Sequence, residues 1–396
     1  MSDKPEGADV NKQDKDGRTA LHNAAMNCHI AVVRYLMNHG AEVNKADNGG
    51  WTALHSACDI GKVHVAHYLI TRGADKSKEG KDGWTALHIA AYYGHIDLMK
   101  YLIIQGAEVN KEDKYGRTTL HTVVTLVKVH VANYLISQVV VTKVKGKDDR
   151  TALHNAAKNC HIEVVKCLIN QGAEVNKADR DGRTALHSAT ENGHIDVIEY
   201  LISQGAEINK EDKDGRTGFH NAANNGHVDV IKYLIRQEAE VNKEDKNGCT
   251  ALHNASFNGH IDVIKQLFTQ GAGVNYTAKN GWTAMHSAAM NRRLGVIKYL
   301  ISVTDEGYQN EENQHLSFPQ GYVNKADSKG RTALHIAVQH GYLDVTKVLI
   351  KNGARCDTED IHGQTPLHLS ITSGYRDIAD LLVDSPDAKV GHTHHL

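Results

Sequence analysis

Residues 182–212 read GRTALHSATENGHIDVIEYLISQGAEINKED, and this stretch decides the fold. Thr184 follows a turn glycine, and its hydroxyl is suited to cap the free N–H groups that open a short helix. Gly193 interrupts that helix. A second helix then carries an apolar stripe at spacings of three and four residues: Ile195, Ile198, Leu201 and Ile202. Gly205 is suited to the left-handed conformation that ends this helix, so the stretch predicts two short helices and a projecting turn, AEINKED.

The same unit recurs along the chain at a fixed period. A Thr-x-x-His motif places a histidine every 33 residues, at His22, His55, His88, His121, His154, His187, His220, His253 and His286. The next motif histidine, His335, follows after 49 residues, which is one period plus 16 inserted residues, and His368 then resumes the period. Eleven copies of a unit of this length indicate a stacked repeat array.

Each unit needs its neighbours for stability. Both predicted helices span about two to three turns, which is too short for a helix to persist alone in water. Small residues such as Ala189 allow neighbouring first helices to approach closely, and a leucine recurs in every second helix, as at Leu201. We therefore expect each unit to be stabilised mainly by the unit before it and the unit after it.

The repeated motif resembles that of ankyrin-repeat proteins, which have the same period and the signature T-P-L-H-x-A. Here the common form is TALH, with TPLH at 365–368, and the resemblance extends from Gly17 to about Val383. It implies an all-α ankyrin-repeat solenoid of stacked helix-turn-helix units with projecting turns, of the multi-ankyrin scaffold type. It also implies that the turns and first helices line a concave face where partner proteins bind.

Departures from the repeat predict the organisation of the chain. Val139 and Val140 replace the usual Gly-Ala, and Asp149 replaces a turn glycine, so we predict a weaker or kinked junction there. Glu238 likewise replaces a helix-ending glycine. The predicted segments are a remnant turn (1–16), repeats 1–4 (17–148), repeats 5–9 (149–301), a polar loop insertion (302–320), repeats 10–11 (321–383) and a flexible tail (384–396). The insertion is either a solvated surface loop or a partner-binding arm.

Composition excludes several classes of function. The 45 basic and 47 acidic residues leave a net charge of −2, whereas nucleic-acid binders carry a basic excess. No apolar run approaches the roughly 20 residues that span a bilayer. Six cysteines without a C-x-x-C pair favour a reducing compartment over a disulfide framework. We expect a cytoplasmic monomer, with the nucleus as the alternative location, that binds proteins or peptides and no nucleic acid.

The histidines do not indicate catalysis. An active site needs one constellation of unlike groups, whereas the motif histidines recur in identical context in all eleven units. We therefore predict that each makes a hydrogen bond that fixes its turn. No phosphate-binding loop, nucleophile elbow or H-E-x-x-H motif is present, so we expect no catalytic residue, metal site or cofactor.

The variable position after the turn glycine offers candidate binding residues. It holds all three tryptophans, Trp51, Trp84 and Trp282, and in the ankyrin resemblance it borders the concave face. A second variable row, before the glycine between the helices, holds Tyr92, Tyr93 and Phe257. Together with Ile89, the aromatic residues of repeats 2 and 3 have the composition of a binding hot spot. The alternative is that each tryptophan packs against its own turn.

Four consecutive repeats carry arginine at the same position: Arg117, Arg150, Arg183 and Arg216. Such a row predicts a stripe that binds acidic peptides or phosphate. The alternative is local neutralisation, because Asp148, Asp149, Asp181 and Asp214 lie one or two residues before three of these arginines.

The ankyrin resemblance also implies a modification. Turns of the form L-x5-[DE]-[VI]-N in this family are substrates of asparaginyl hydroxylase. The matching positions here are Asn44, Asn110, Asn176, Asn209 and Asn242. The alternative is that asparagine is present because it tolerates the strained backbone of the turn.

These observations predict a non-enzymatic protein–protein interaction scaffold or adaptor. Rigid repeats present side chains on a long preorganised surface, which lowers the ordering cost of association. The alternative is a substrate- or partner-recognition segment of a larger signalling or enzyme-regulatory protein. An autonomous enzyme finds no support in these residues.

Overall fold

The computed structural model describes residues 8–126, 129–138, 148–305 and 321–385. This part of the chain contains 22 α-helices, a 3-10 turn at Tyr322–Asn324 and no β-strand. The helices are α1 (Ala20–Met26), α2 (Ile30–Asn38), α3 (Ala53–Ile60), α4 (Val63–Thr71), α5 (Ala86–Tyr93), α6 (Ile96–Ile104), α7 (Thr119–Thr125), α8 (Val129–Gln138), α9 (Ala152–Lys158), α10 (Ile162–Asn170), α11 (Ala185–Asn192), α12 (Ile195–Ser203), α13 (Gly218–Asn225), α14 (Val228–Arg236), α15 (Ala251–Asn258), α16 (Ile261–Thr269), α17 (Ala284–Met290), α18 (Leu294–Asp305), α19 (Ala333–Gln339), α20 (Leu343–Lys351), α21 (Pro366–Thr372) and α22 (Arg376–Val383). None of these helices has both the length and the apolar character needed to cross a membrane.

Each repeat contributes one odd-numbered first helix and one even-numbered second helix. The motif threonine precedes every first helix in an extended conformation, as at Thr184 (φ −98°, ψ 174°), and pairs with the motif histidine in a capping box. Gly193 ends α11 in the left-handed conformation, at φ 75°. The predicted helix start and the predicted break between the helices are therefore confirmed.

The helices stack in two compact units, Met1–Asp181 with repeats 1–5 and Gly182–Leu396 with repeats 6–11. Within the first unit, α1, α3, α5, α7 and α9 pack successively against one another. Within the second unit, α11, α13, α15, α17, α19 and α21 do the same. The predicted all-α ankyrin-type solenoid is thereby confirmed for both stacks.

The cores of both stacks consist of the residues that recur. The small residues of the first helices are buried, for example Ala57 and Ala90, and so is the recurring leucine of the second helices. That leucine occupies Leu36, Leu69, Leu102, Leu135, Leu168, Leu201, Leu234, Leu267, Leu300, Leu349 and Leu382. Within each unit, second helices of successive repeats such as α4 and α6 or α14 and α16 contact one another, so burial of apolar surface makes these repeats interdependent.

At several backbone positions that are glycine in most repeats, another residue type is present. Glu238 adopts φ 64° and Asp149 adopts φ 58°, so both take the left-handed conformation despite having a Cβ. The rest of the predicted junction, residues 139–147, lies outside the described residues. The predicted insertion also begins later than we expected, because α18 continues to Asp305. Thr304 stands where other repeats have the helix-ending glycine, so the second helix of repeat 9 has no stop signal there.

Replacing Glu238 with glycine is expected to raise the free energy of unfolding by about 1 kcal/mol, because a left-handed conformation strains a residue with a Cβ. Gly205, at the equivalent position of the preceding repeat, has φ 87°, and a Cβ added to it would meet no other atom within 4 Å. Gly205→Glu is therefore the matched reverse change and should lower stability by a similar amount. Urea unfolding of the whole chain measures both variants, and a loss of stability in Glu238→Gly would contradict the strain argument.

Candidate protein-binding surface

Within each unit, the Thr-x-x-His motif joins several repeats to the next one. In repeat 8, the backbone N–H of Thr250 donates to His253 Nδ1 at 3.1 Å, and the Thr250 hydroxyl lies 3.0 Å from the same nitrogen. Because a backbone N–H can only donate, Nδ1 carries no proton and Nε2 does. Nε2 accordingly donates to the Trp282 carbonyl of repeat 9, at 3.0 Å. The predicted structural role of the motif histidines is confirmed, and it extends to the following repeat as well as to the histidine's own turn.

Burial lowers the pKa of eight motif histidines. Desolvation lowers the pKa of His55 from 6.5 to about 4, although hydrogen bonds with backbone carbonyls oppose the shift. Desolvation is also the first cause of a lowered pKa at seven others: His88, His121, His187, His220, His253, His286 and His335. A neutral imidazole that already uses both nitrogens in the framework is poorly suited to acid–base catalysis.

A second tie uses the residue after the turn glycine. Arg150 Nε lies 3.2 Å from Asp179 Oδ2, and Arg216 Nε lies 3.5 Å from Asp245 Oδ2, in each case 29 residues further along the chain. These aspartates are buried and lie in the turn that follows the second helix. The residue after the turn glycine therefore joins adjacent turns, and sequence reasoning missed this role because the partner lies 29 residues ahead.

The predicted arginine stripe has acidic partners at every position. Besides the two pairs above, Arg117 lies 2.8 Å from Asp113, and Arg183 lies 2.5 Å from Glu191. The partners differ from the aspartates that the sequence suggested, which lie just before the arginines. The arrangement favours local neutralisation over a row of available positive charge.

Two tryptophans join adjacent turns in the same way, through a hydrogen bond to the aspartate of the following turn. Trp84 Nε1 donates to Asp113 Oδ2 at 3.3 Å, and Trp282 Nε1 donates to Asp327 Oδ2 at 3.2 Å. Trp51 differs because the next turn has Gly80 in place of the aspartate. Its indole covers that glycine so closely that a Cβ on Gly80 would lie 2.8 Å from Trp51 Cδ1. All three indoles thus have a framework role, and all three remain partly exposed.

An aromatic cluster in repeat 3 leaves its rings in contact with solvent. The rings of Trp84 and Tyr92 have centroids 5.1 Å apart, and Tyr92 meets Tyr93 edge to face, also at 5.1 Å. Tyr92 and Tyr93 are 38% and 46% exposed, so their surface is available to a partner. Ile89 is completely buried, which corrects its placement on this surface: it faces the core because it lies between the buried positions of α5.

A groove of about 500 Å³ adjoins this cluster in the first unit. Its lining includes Met26, Trp51 and Asp59, together with Asp16 and Arg18. The two features meet because the Asp59 carboxylate lies near the Tyr93 hydroxyl and, together with burial, raises the pKa of Tyr93. We call this groove and its aromatic neighbours the repeat 1–3 surface, defined as Asp16, Met26, Trp51, Asp59, Trp84, Tyr92 and Tyr93.

Comparison with known families agrees with this architecture. A family model described as ankyrin repeats (3 copies) matches residues 4–80, 73–143, 130–212, 205–278, 258–360 and 310–394. The chain belongs to the ankyrin-repeat family. Ankyrin repeats are generally protein–protein interaction modules, and proteins built from them are typically non-enzymatic. A search of curated proteins found no match.

Sequence reasoning missed three members of the repeat 1–3 surface: Asp16, Met26 and Asp59. Met26 and Asp59 lie four residues after the motif histidine, in the row that holds Tyr92, and this shared register was the signal that could have identified them. Ile60, in the row of Tyr93, is also exposed, and so is Tyr115, just before the turn glycine of repeat 4.

The candidate residues of the second ankyrin unit are more dispersed. Phe257, in repeat 8, is 41% exposed. The equivalent residues in the repeats before and after it are Asn224 and Met290. The Phe257 carbonyl accepts a hydrogen bond from Arg293 Nε at 3.1 Å. Trp282 lies in the next repeat and is tied to Asp327, as described above. This unit therefore presents single aromatic side chains where the first unit presents a cluster.

The ankyrin turn asparagines also join repeats. Asn242 Nδ2 donates to the Gly271 carbonyl at 3.1 Å, and its Oδ1 accepts from the Gly273 N–H at 2.9 Å. Asn44 makes the same two bonds with Gly73 and Asp75. The Asn209 carbonyl oxygen accepts from the Glu240 N–H at 3.1 Å. These bonds give the asparagines a structural reason to be present.

Within the described ranges, no group of three or more His, Cys, Asp or Glu side chains is arranged to hold a metal ion. The six cysteines are free thiols. Burial raises the pKa of the Cys249 thiol to about 11 and also raises that of Cys58. Such thiols are poor nucleophiles near neutral pH.

Proposed function

We propose that this protein is a non-enzymatic interaction scaffold or adaptor, and that its repeat 1–3 surface binds a partner protein or peptide. One observation carries the proposal: Tyr92 and Tyr93 are exposed side by side and are backed by Trp84. The cysteine chemistry and charge balance favour the cytoplasm, with the nucleus as the alternative location, and a monomer.

The proposal depends on distinguishing residues that hold the repeats together from residues that are available to a partner. The motif threonine caps its own helix together with the motif histidine, the histidine also bonds to the following turn, and the turn aspartate joins adjacent turns. Tyr92 and Tyr93 lie outside that pattern, because the same rows hold Asn224 and Asn225 in repeat 7. Exposed, clustered aromatic side chains are typical of the few residues that supply most of the binding energy of an interface. The bonded repeats behind them would hold the rings in place, which reduces the entropy lost on binding.

We expect Trp84→Arg to weaken partner binding by about thirtyfold, the loss typical of a hot-spot residue. Arginine occupies this position in several other repeats and can reach the next aspartate, so the change removes aromatic surface while keeping the tie to Asp113. Trp282→Arg is the matched control, because it makes the same exchange against Asp327 in the other unit. Partners captured from cells by the wild-type chain would be identified, and their affinities measured for all three proteins.

Two results would contradict the proposal. One is that the partners bind Trp84→Arg and wild type with equal affinity. The other is that Trp282→Arg weakens binding as much as Trp84→Arg does. Circular dichroism and urea unfolding would establish that both variants remain folded.

Hydroxylation of the turn asparagines is a second proposal, supported by the match of Asn44, Asn110, Asn176, Asn209 and Asn242 to the turn pattern. Because the Asn242 amide bonds to two backbone groups of the next turn, that turn must open before an enzyme can reach it. We expect mass spectrometry of the protein from cells to show peptides heavier by one oxygen atom. Unmodified peptides at all five positions would contradict this proposal.

A further inference from the structure

The groove of the repeat 1–3 surface carries an excess of negative charge. Its lining contains three carboxylates, Asp16, Asp47 and Asp59, and one cation, Arg18. Asp47 is occupied by the framework, because it accepts N–H groups from its own turn and lies 3.7 Å from Arg18. In the described ranges, no Lys or Arg nitrogen lies within 4.0 Å of the carboxylates of Asp16 or Asp59. Two carboxylates therefore remain without a cationic partner in the groove.

Apolar and aromatic side chains form part of the same groove. Met26 and Trp51 line it, and the Tyr93 hydroxyl lies near Asp59 at its border. A carboxylate beside aromatic rings suits a cation on an aliphatic stem: the stem packs on apolar surface, and the cation meets both the ring face and the carboxylate. A phosphate or an acidic peptide would instead be repelled by Asp16 and Asp59.

We infer that the groove receives a basic side chain, arginine or lysine, from the partner peptide, and that Asp59 is its ion-pair acceptor. This inference rests on the proposed function and names the class of partner for the same surface. Asp59 and Trp51 both line the groove, so the carboxylate can meet the cation while the indole provides the flat surface for the stem or the guanidinium. Tyr92 and Trp84 would then contact apolar residues next to the basic one.

The probe is a library of random peptides displayed on phage and selected on the whole chain. We expect the selected peptides to share a basic residue. Replacing it by its neutral counterpart, citrulline for arginine or acetyl-lysine for lysine, should weaken binding about tenfold or more. Asp59→Asn should cause a similar loss, and the neutral peptide should lose no further affinity on this variant, because a double-mutant cycle detects direct coupling.

Asp97→Asn is the matched control, since Asp97 is an exposed aspartate that lies outside the groove lining. Asparagine has nearly the same size and shape as aspartate, and thermal unfolding would verify that Asp59→Asn stays folded. If Trp84→Arg lowers the affinity for the peptides, but neither Asp59→Asn nor the neutral replacement changes it, this inference is wrong and the proposed surface stands. If neither Trp84→Arg nor Asp59→Asn changes the affinity for the peptides, the inference and the proposed surface are both wrong.

Discussion

The free energy of unfolding of this ankyrin array is expected to fall steadily as the pH is lowered from 6.5 towards 4. In the unfolded chain a histidine takes up a proton near pH 6.5, whereas folded His55 does so only near pH 4. Between these values the unfolded state binds more protons, so stability rises with pH in this window and is complete above it. For His55 alone the shift corresponds to about 3 kcal/mol, and seven further motif histidines shift in the same direction.

Urea unfolding between pH 7.5 and 5 measures this dependence. Buried aspartates such as Asp113 and Asp327 also have lowered pKa values: burial opposes the shift, and hydrogen bonds from arginine outweigh it. Their contribution is present above pH 3.8 and is lost only below it, so the chosen range isolates the histidines. His55→Gln should flatten the slope, whereas exposed His64→Gln should leave it unchanged. A urea midpoint that stays constant across the range would contradict the prediction.

Replacing a single motif histidine by leucine is expected to cost about 3 kcal/mol at neutral pH. In His253→Leu the side chain keeps roughly its volume, but the buried Thr250 N–H and hydroxyl lose their shared partner, whereas the Trp282 carbonyl loses the His253 bond and keeps the one from the Ala278 N–H. Each unsatisfied buried group costs about 1–3 kcal/mol, which is more than the added apolar surface returns. Because the Trp282 carbonyl belongs to the next repeat, hydrogen exchange should increase in repeats 8 and 9 together.

The matched control is His368→Leu in repeat 11. His368 has the same Thr365 cap, but its side chain is exposed, so water can replace the lost partner. The expected cost is below about 1 kcal/mol, the usual value for an accessible hydrogen bond. Equal losses from His253→Leu and His368→Leu would show that the bond to the following repeat contributes nothing.

Much of the architecture could be predicted because the repeat encodes it locally. The threonine cap, the left-handed glycines and the leucine stripe act within one unit of 33 residues, and eleven copies make the pattern unmistakable. The same logic identified the motif histidines as structural. It failed for Ile89, whose apolar character suits a core position and a binding surface equally well, and only packing distinguishes the two.

The candidate surface was less predictable because its contacts join different repeats. Trp84 and Arg150 occupy equivalent positions and both reach a carboxylate 29 residues ahead, a relation that neither residue type signals by itself. Asp59 was overlooked because one aspartate in a variable row carries no signal until the structure places it in the groove, near Tyr93.

The amino-acid sequence by itself determined the repeat, its helices and its caps, since these depend on backbone preferences and on hydrogen bonds between residues close in the chain. Only the stacking of the repeats determined which side chains are exposed, because the exposure of a residue depends on which residues of the adjacent repeat pack against it. Tyr92 and Ile89, three residues apart on one helix, show this difference: the first meets solvent, and the second is enclosed.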